Sequence, residues 1–241
     1  MENQTSHKNR TLGYLFGMLG VLIFSGTLPM TRLGTETFDP WFLTFSRATI
    51  VSIVSAIVFL LLKKRLPRQH LFSLFMVGVF LVFGFPGFMA VAMTTVPASH
   101  GGVVLGILPL VTALFAVILA GERPSLLFWL CGVVGAILVI VFALRDGGWG
   151  IETGDFWLLA AGACAGAGYV LSGKLAGHMG GWEVVSWALV LTSPLSAVLT
   201  WWTWNPIYLE ADAQAIMALS YVAFGSMYLG FFAWNAGLRI W

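Results

Sequence analysis

Arg47 is the one charge set clearly inside an apolar stretch, seven positions after Pro40. An ionised guanidinium in hydrocarbon is costly, so it turns inward and takes a partner. It could anchor the carboxylate, or another anionic group, of a bound solute. It could equally serve helix carbonyls or extend to the nearby membrane surface. Tyr221, Gly225, Tyr228, Phe232 and Asn235 recur at helical spacing and form one stripe of aromatic rings with polar ends. Such a stripe either stacks on a solute and offers it hydrogen bonds, or packs against neighbouring helices. Tyr169 continues the face of Gly162 and Gly166, a GxxxG pair whose first meaning is close packing, and is a further candidate for a cavity wall. Trp187 lies one turn inside its apolar stretch and could face the same cavity. Trp182, Trp201, Trp202 and Trp204, near the ends of that stretch, read as interface anchors.

Proline adds a second kind of chemistry, that of backbone left unbonded. From Gly101 to Gly121 the chain carries no charge, and Pro109 falls in its middle. Proline has no N–H, so the carbonyl of Leu105 loses its helical donor. In lipid that carbonyl must be satisfied by protein or cavity water, which places Pro109 beside a cavity more readily than against lipid. A tolerated kink is the alternative. Pro86, within Gly84-Phe85-Pro86-Gly87, and Gly225-Ser226 interrupt two other apolar stretches.

Catalytic and metal chemistry find little support. Cys131 and Cys164 lie in apolar stretches and act as small hydrophobes. An intramembrane serine protease needs a Ser–His pair. His100 is the only histidine in or near a span, and the adjacent Ser99 points about 100° away around a helix. No Gly-x-Ser-x-Gly, His-Glu-x-x-His or Cys-x-x-Cys element occurs. The chain is therefore read as a non-enzyme, with no cofactor and no metal site. Glu122 reads as a helix end beside Arg123, and His100 as a group that satisfies local hydrogen bonds.

The elements that must position these residues follow from composition. Charged residues make up 9% of the chain and apolar residues 59%, against about a quarter charged in a soluble domain. The fold class is all-α integral membrane, and eight spans are expected near 12–31, 41–62, 71–93, 98–120, 125–144, 155–175, 183–204 and 215–238. The first apolar run is too long for a signal-peptide core and lacks a convincing cleavage site, so it reads as a retained helix. With the N-terminus cytoplasmic, that side collects Lys8, Arg10, Lys63, Lys64, Arg65, Arg68, Arg123, Lys174 and Arg239, while the other receives Arg32 and Arg145. This split follows the positive-inside rule and gives a multi-pass protein of the cell (inner) membrane.

The chain also repeats itself. Gly26 to Arg32, moved forward by 142 positions, falls on Gly168 to Lys174; a shift of 141 pairs Phe83-Gly84 with Phe224-Gly225. One repeat holds five spans, an odd number, so the second copy enters the membrane upside down. Residues 1–148 form the first repeat and residues 149–241 a second, incomplete one of three helices. Inverted repeats are the mark of alternating-access carriers, whose site lies near the midplane where both halves are interrupted.

Pro109 in the fourth span, Gly121-Glu122-Arg123 at its end, Arg47 early in the second span and the five-helix halves together resemble the EamA-like branch of the drug/metabolite transporter superfamily. The resemblance covers nearly the whole chain. It implies ten helices with both termini cytoplasmic and a central cavity built by the first four helices of each half. It also implies a secondary transporter, an exporter or exchanger, of small metabolites such as amino acids or drugs. This sequence stops after the eighth helix, a departure that reads as truncation. A non-transporting remnant or membrane subunit is the competing reading. The expected partners are a small-molecule metabolite and the lipid bilayer, with a homodimer allowed and nucleic acid not expected. The substrate-binding candidates are Arg47, Pro86, Pro109, Tyr169, Trp187, Tyr221, Tyr228 and Asn235.

Overall fold

The computed structural model describes residues 2–146 and 152–234. Asn235 and Arg239 lie outside the described residues. Seven helices are long and apolar enough to cross a membrane: α1 (Thr11–Gly34), α2 (Pro40–Leu61), α3 (Arg68–Ala92), α4 (Ala98–Ala120), α6 (Thr153–Ala176), α7 (Gly181–Trp202) and α8 (Ala213–Trp234). Between α4 and α6 runs α5 (Leu126–Asp146), also apolar through its described part. All regular structure among the described residues is helical, and every expected span has its helix.

Local chemistry sets the helix starts. Asp39 caps α2, its carboxylate accepting from the N–H of Trp41 (2.9 Å) and of Phe42 (3.2 Å), and Pro40 follows at the first turn, where a missing N–H does no harm. Asp212 caps α8 by accepting from the Ala215 N–H at 2.8 Å. Glu152 and Asp155 form a reciprocal capping box at the start of α6. Gly121 ends α4 with φ of 69°, a left-handed conformation that favours glycine.

Several spans are not uniform helices. α1 is interrupted between Ser25 and Thr27, one turn before Pro29. α3 passes through a π-helical stretch, Gly78–Gly84, immediately before Pro86, and the Phe85 N–H reaches back five residues to the Phe80 carbonyl. α4 shifts from α to 3-10 geometry at Leu105–Ile107, back to α at Leu108–Phe115 and into a π stretch at Ala116–Ala120. α8 carries the longest π stretch, Tyr221–Gly230. Such segments mark places where the ladder has slipped, commonly near functional sites.

α2 and α7 lie against each other through the centre of the bundle, joined by a Thr49–Thr200 hydroxyl pair at 3.0 Å. α1 packs on α8, and α6 packs on α3 and α4. The core between them gathers Phe45, Val51, Val82, Leu189, Ala223 and Met227 from α2, α3, α7 and α8. Several glycines bring helices close, Gly26 and Gly168 among them. A Cβ on Gly26 would lie 2.3 Å from the Tyr221 hydroxyl, and one on Gly168 would lie 2.5 Å from Leu81 and 3.1 Å from the Phe80 Cβ. A larger residue at either position would have to displace the side chain that now fills the space.

The bundle has a basic end, with Lys63 to Arg68, Arg123 and Lys174, and an acidic end, with Glu36, Asp39, Asp155 and Asp212. At the basic end Lys64 of the α2–α3 connection pairs with Glu183 of α7 at 2.8 Å and sits 5.7 Å from the Trp182 ring centroid. At the acidic end His100 of α4 meets Asp155 of α6 at 2.6 Å. There Arg32 donates to the carbonyls of Met93 (2.5 Å) and Val96 (2.9 Å), fastening α1 to the end of α3.

Candidate functional site

The fourth span is where backbone irregularity and open space coincide. A cleft of about 700 Å³, open on one side, lies between α4 and α6, with Phe128 of α5 at its edge. Pro109, Thr112 and Glu122 line it from the α4 side; Tyr169, Gly173 and Lys174 line it from α6. The 3-10 turn at Leu105–Ile107 is the local answer to Pro109: the ladder tightens where the proline cannot donate. Opposite, Gly166 lets α6 approach the α4 backbone, a Cβ there falling 3.3 Å from the Thr112 nitrogen. The GxxxG face thus does pack closely at Gly166, and one turn further on the same face opens onto the cavity at Tyr169 and Gly173.

Most of the lining is aliphatic, and the polar groups cluster toward the basic end. Lys174 donates to the carbonyl of Leu119 at 2.5 Å, satisfying one of the acceptors left bare at the end of α4. Glu122 and Lys174 bring opposite charges to one rim, while the Thr112 and Tyr169 hydroxyls supply neutral donors and acceptors. Such a site suits a small solute with an apolar body and a few polar groups. No group of three or more metal-ligating side chains occurs among the described residues.

The remaining candidates lie elsewhere in the bundle. Pro86 is buried in α3, just beyond the π stretch. Trp187 is buried and stacked on Phe59, ring centroids 4.0 Å apart, within the α2–α3–α7 core. The Tyr221 hydroxyl donates to the carbonyl of Ile23 at 2.8 Å. Tyr228 is partly buried and leans on Phe232 at 4.6 Å. Arg47 is buried in α2 and its Nε has no hydrogen-bond partner.

Three of the polar contacts that join distant segments are barely marked in the sequence. Thr27 donates to the Ser226 hydroxyl at 2.8 Å, linking the break in α1 to the π stretch of α8. The Lys64–Glu183 pair and the double donation from Arg32 are the others. Their only sequence signals are weak ones: a hydroxyl beside each glycine interruption and a lone acid at the start of α7.

The model of the EamA-like transporter family matches residues 11–145, more than half of the chain. This chain belongs to the EamA-like transporter family. Among relatives of this EamA-like chain is the "Uncharacterized transporter YdeK" of Bacillus subtilis (strain 168), 41% identical over 229 residues, which cover 95% of this chain and 80% of that protein. The "Uncharacterized transporter YyaM" of the same organism is 23% identical over 237 residues, 92% of this chain and 76% of that one. A solved crystal structure superposes with a TM-score of 0.65 at 24% identity, covering 94% of this chain and 80% of that one; at this identity the likeness speaks for the fold alone. The EamA-like chain is therefore an all-helical, multi-pass membrane transporter with a small-molecule substrate.

Proposed function

We propose that this protein is a secondary carrier, an exporter or exchanger of small metabolites such as amino acids or drugs, working by alternating access between two inverted halves, 1–148 and 149–241. The observation that carries the reading is a pair of matched contacts. Gly26 abuts Tyr221, and Gly168 abuts Phe80. Gly26 and Gly168 are 142 positions apart, and Phe80 and Tyr221 are 141 apart, the same two offsets at which the sequence repeats itself. In each case the first helix of one half meets the third helix of the other. The π stretches of α3 and α8, Gly78–Gly84 and Tyr221–Gly230, overlap at the same offset. A swapped pair of this kind gives two equivalent seams about which the halves can rock.

The two ends of the bundle supply what would have to open in turn. His100–Asp155 closes the acidic end between α4 and α6, and Lys64–Glu183 closes the basic end between α2 and α7. Each joins a residue of the first half to one of the second. The Pro109–Tyr169 cavity, with charged groups at its basic rim, is the solute's path; Arg47, Pro86, Trp187, Tyr221, Tyr228 and Asn235 are the interior positions proposed to meet it as the halves move. With the basic end cytoplasmic, the protein lies in the cell membrane with its N-terminus inside.

The test is counterflow of radiolabelled amino acids and a cationic dye in proteoliposomes. Cysteine pairs replace Lys64 and Glu183, or His100 and Asp155, in a Cys131→Ser/Cys164→Ser background. Bridging either pair with a short bis-maleimide should abolish uptake. Flux that persists with one end bridged would remove alternating access, and flux no higher than in protein-free vesicles across the panel would remove the amino-acid and drug reading.

A further inference from the structure

Arg47 is 5% exposed, its Nε is occluded and unbonded, and no carboxylate pairs with it among the described residues. A guanidinium withdrawn from water ordinarily takes a counter-charge or a full set of acceptors. Its place in the bundle is defined by the residues one turn to either side. Gly34 of α1 comes up against both Leu43 and Ala218 of α8, and Val51 shares a buried cluster with Ala223 and Met227 of α8. Arg47 therefore lies on the face of α2 directed at the α1–α8 seam, the one that Gly26 and Tyr221 hold close. A second orphan lies at the same depth. Thr31 is 1% exposed with an unbonded hydroxyl. It is one turn inward from Gly34 on α1, as Arg47 is one turn inward from Leu43 on α2. Among the described residues the seam thus holds a buried cation whose Nε is unbonded and a buried hydroxyl that is also unbonded.

We infer that Arg47 holds the carboxylate of the transported solute at the α1–α2–α8 seam, with Thr31 as an accompanying donor. The inference rests on the carrier reading, because only a movement of the halves brings a solute to so buried a group. The charge balance selects the class. Arg47 is the only buried Lys or Arg among the described residues, so one positive charge is offered without a second. A monoanionic carboxylate neutralises it and matches the planar fork of a guanidinium, whereas a phosphate dianion would leave a negative charge uncompensated in the dry seam.

The experiment uses the whole chain in phosphatidylcholine nanodiscs. Phenylglyoxal modification of each arginine is followed by mass spectrometry, with benzoate and acetate as probes, benzamide and acetamide as their neutral counterparts, and inorganic phosphate as the competing class. The expected result is slow modification of Arg47 that benzoate or acetate suppresses and the amides do not, with modification of exposed Arg68 unchanged throughout. In parallel, the thermal midpoint of the wild type should rise with benzoate, and the fitted affinity should fall about tenfold or more in Arg47→Gln, the scale of a lost charge-assisted bond. Arg47→Lys should keep part of it. The labelling arm stands even if Arg47→Gln does not fold. The inference is overturned if Arg47 never reacts, if the amides protect as well as the acids, if phosphate protects better than either acid, or if a folded Arg47→Gln binds benzoate undiminished. Flux in proteoliposomes without carboxylate protection would reject this site and leave the carrier standing; protection without flux would do the reverse.

Discussion

The Tyr221 hydroxyl donates a 2.8 Å hydrogen bond to the carbonyl of Ile23, just where α1 is interrupted between Ser25 and Thr27. The same hydroxyl occupies the space a Cβ on Gly26 would need. One side chain of α8 therefore both fills the gap left by a glycine and bonds backbone beside the break. Tyr221→Phe should remove the bond while keeping the shape, at a cost of about 0.5–1.5 kcal/mol. Gly26→Ala should cost more, about 1–3 kcal/mol, because it forces the ring away. Thermal unfolding in a mild detergent would check the order; a Gly26→Ala variant as stable as wild type would contradict the close contact.

Pro109 leaves the fourth span without a continuous ladder, and a 3-10 turn takes up the difference. Pro109→Ala restores one donor, so the span should straighten and stability should hold or rise. Under the carrier reading, counterflow should drop by about tenfold, the effect of misplacing a wall by a fraction of an ångström. Unchanged counterflow would make Pro109 a tolerated kink.

Lys64 and Glu183 are 2.8 Å apart at the basic end, with 39% and 18% of their side chains exposed. Solvent screens a pair so placed, and a double-mutant cycle through Lys64→Ala and Glu183→Ala should return a coupling of about 0.2–1 kcal/mol. The coupling should shrink as salt is raised from about 0.1 to 1 M. A coupling unchanged by salt would mean that the two side chains do not interact as a screened ion pair.

Asp155 does two jobs with two oxygens. Oδ2 accepts from the Glu152 N–H at 3.0 Å within the capping box, and Oδ1 meets His100 Nε2 at 2.6 Å. Asp155→Ala should therefore destabilise by about 1–3 kcal/mol, combining a lost cap with a lost partner. Asp155→Asn, which keeps one acceptor, should fall between it and wild type. Equal unfolding midpoints for all three proteins would mean that neither contact holds α6 in place.

The proposed orientation is open to direct measurement. In a Cys131→Ser/Cys164→Ser background, single cysteines at Arg65 and Glu210 sit at opposite ends of the bundle. In right-side-out membrane vesicles an impermeant maleimide should label the cysteine at 210 and spare the one at 65. The reverse pattern would turn the protein over.

Eight apolar stretches and the division of charge between two faces were legible in the chain, because each is a local property. About twenty apolar residues must cross the bilayer as a helix, whatever surrounds them. Pro109 announced the irregular fourth span for the same reason: a missing N–H acts within its own turn. Pairings between helices are not local. Its place one turn inside an apolar stretch made Trp187 a candidate for the cavity wall, but the assembled bundle set it on Phe59. The stripe of α8 was visible, yet only the assembled bundle set Tyr221 on Ile23 and linked Thr27 to Ser226, residues 198 and 199 positions apart. Helices in lipid find their partners by shape and hydrogen bonding, since lipid is as apolar as they are. That choice depends on both surfaces at once, and it alone decided that Arg47 would be buried with no carboxylate beside it among the described residues.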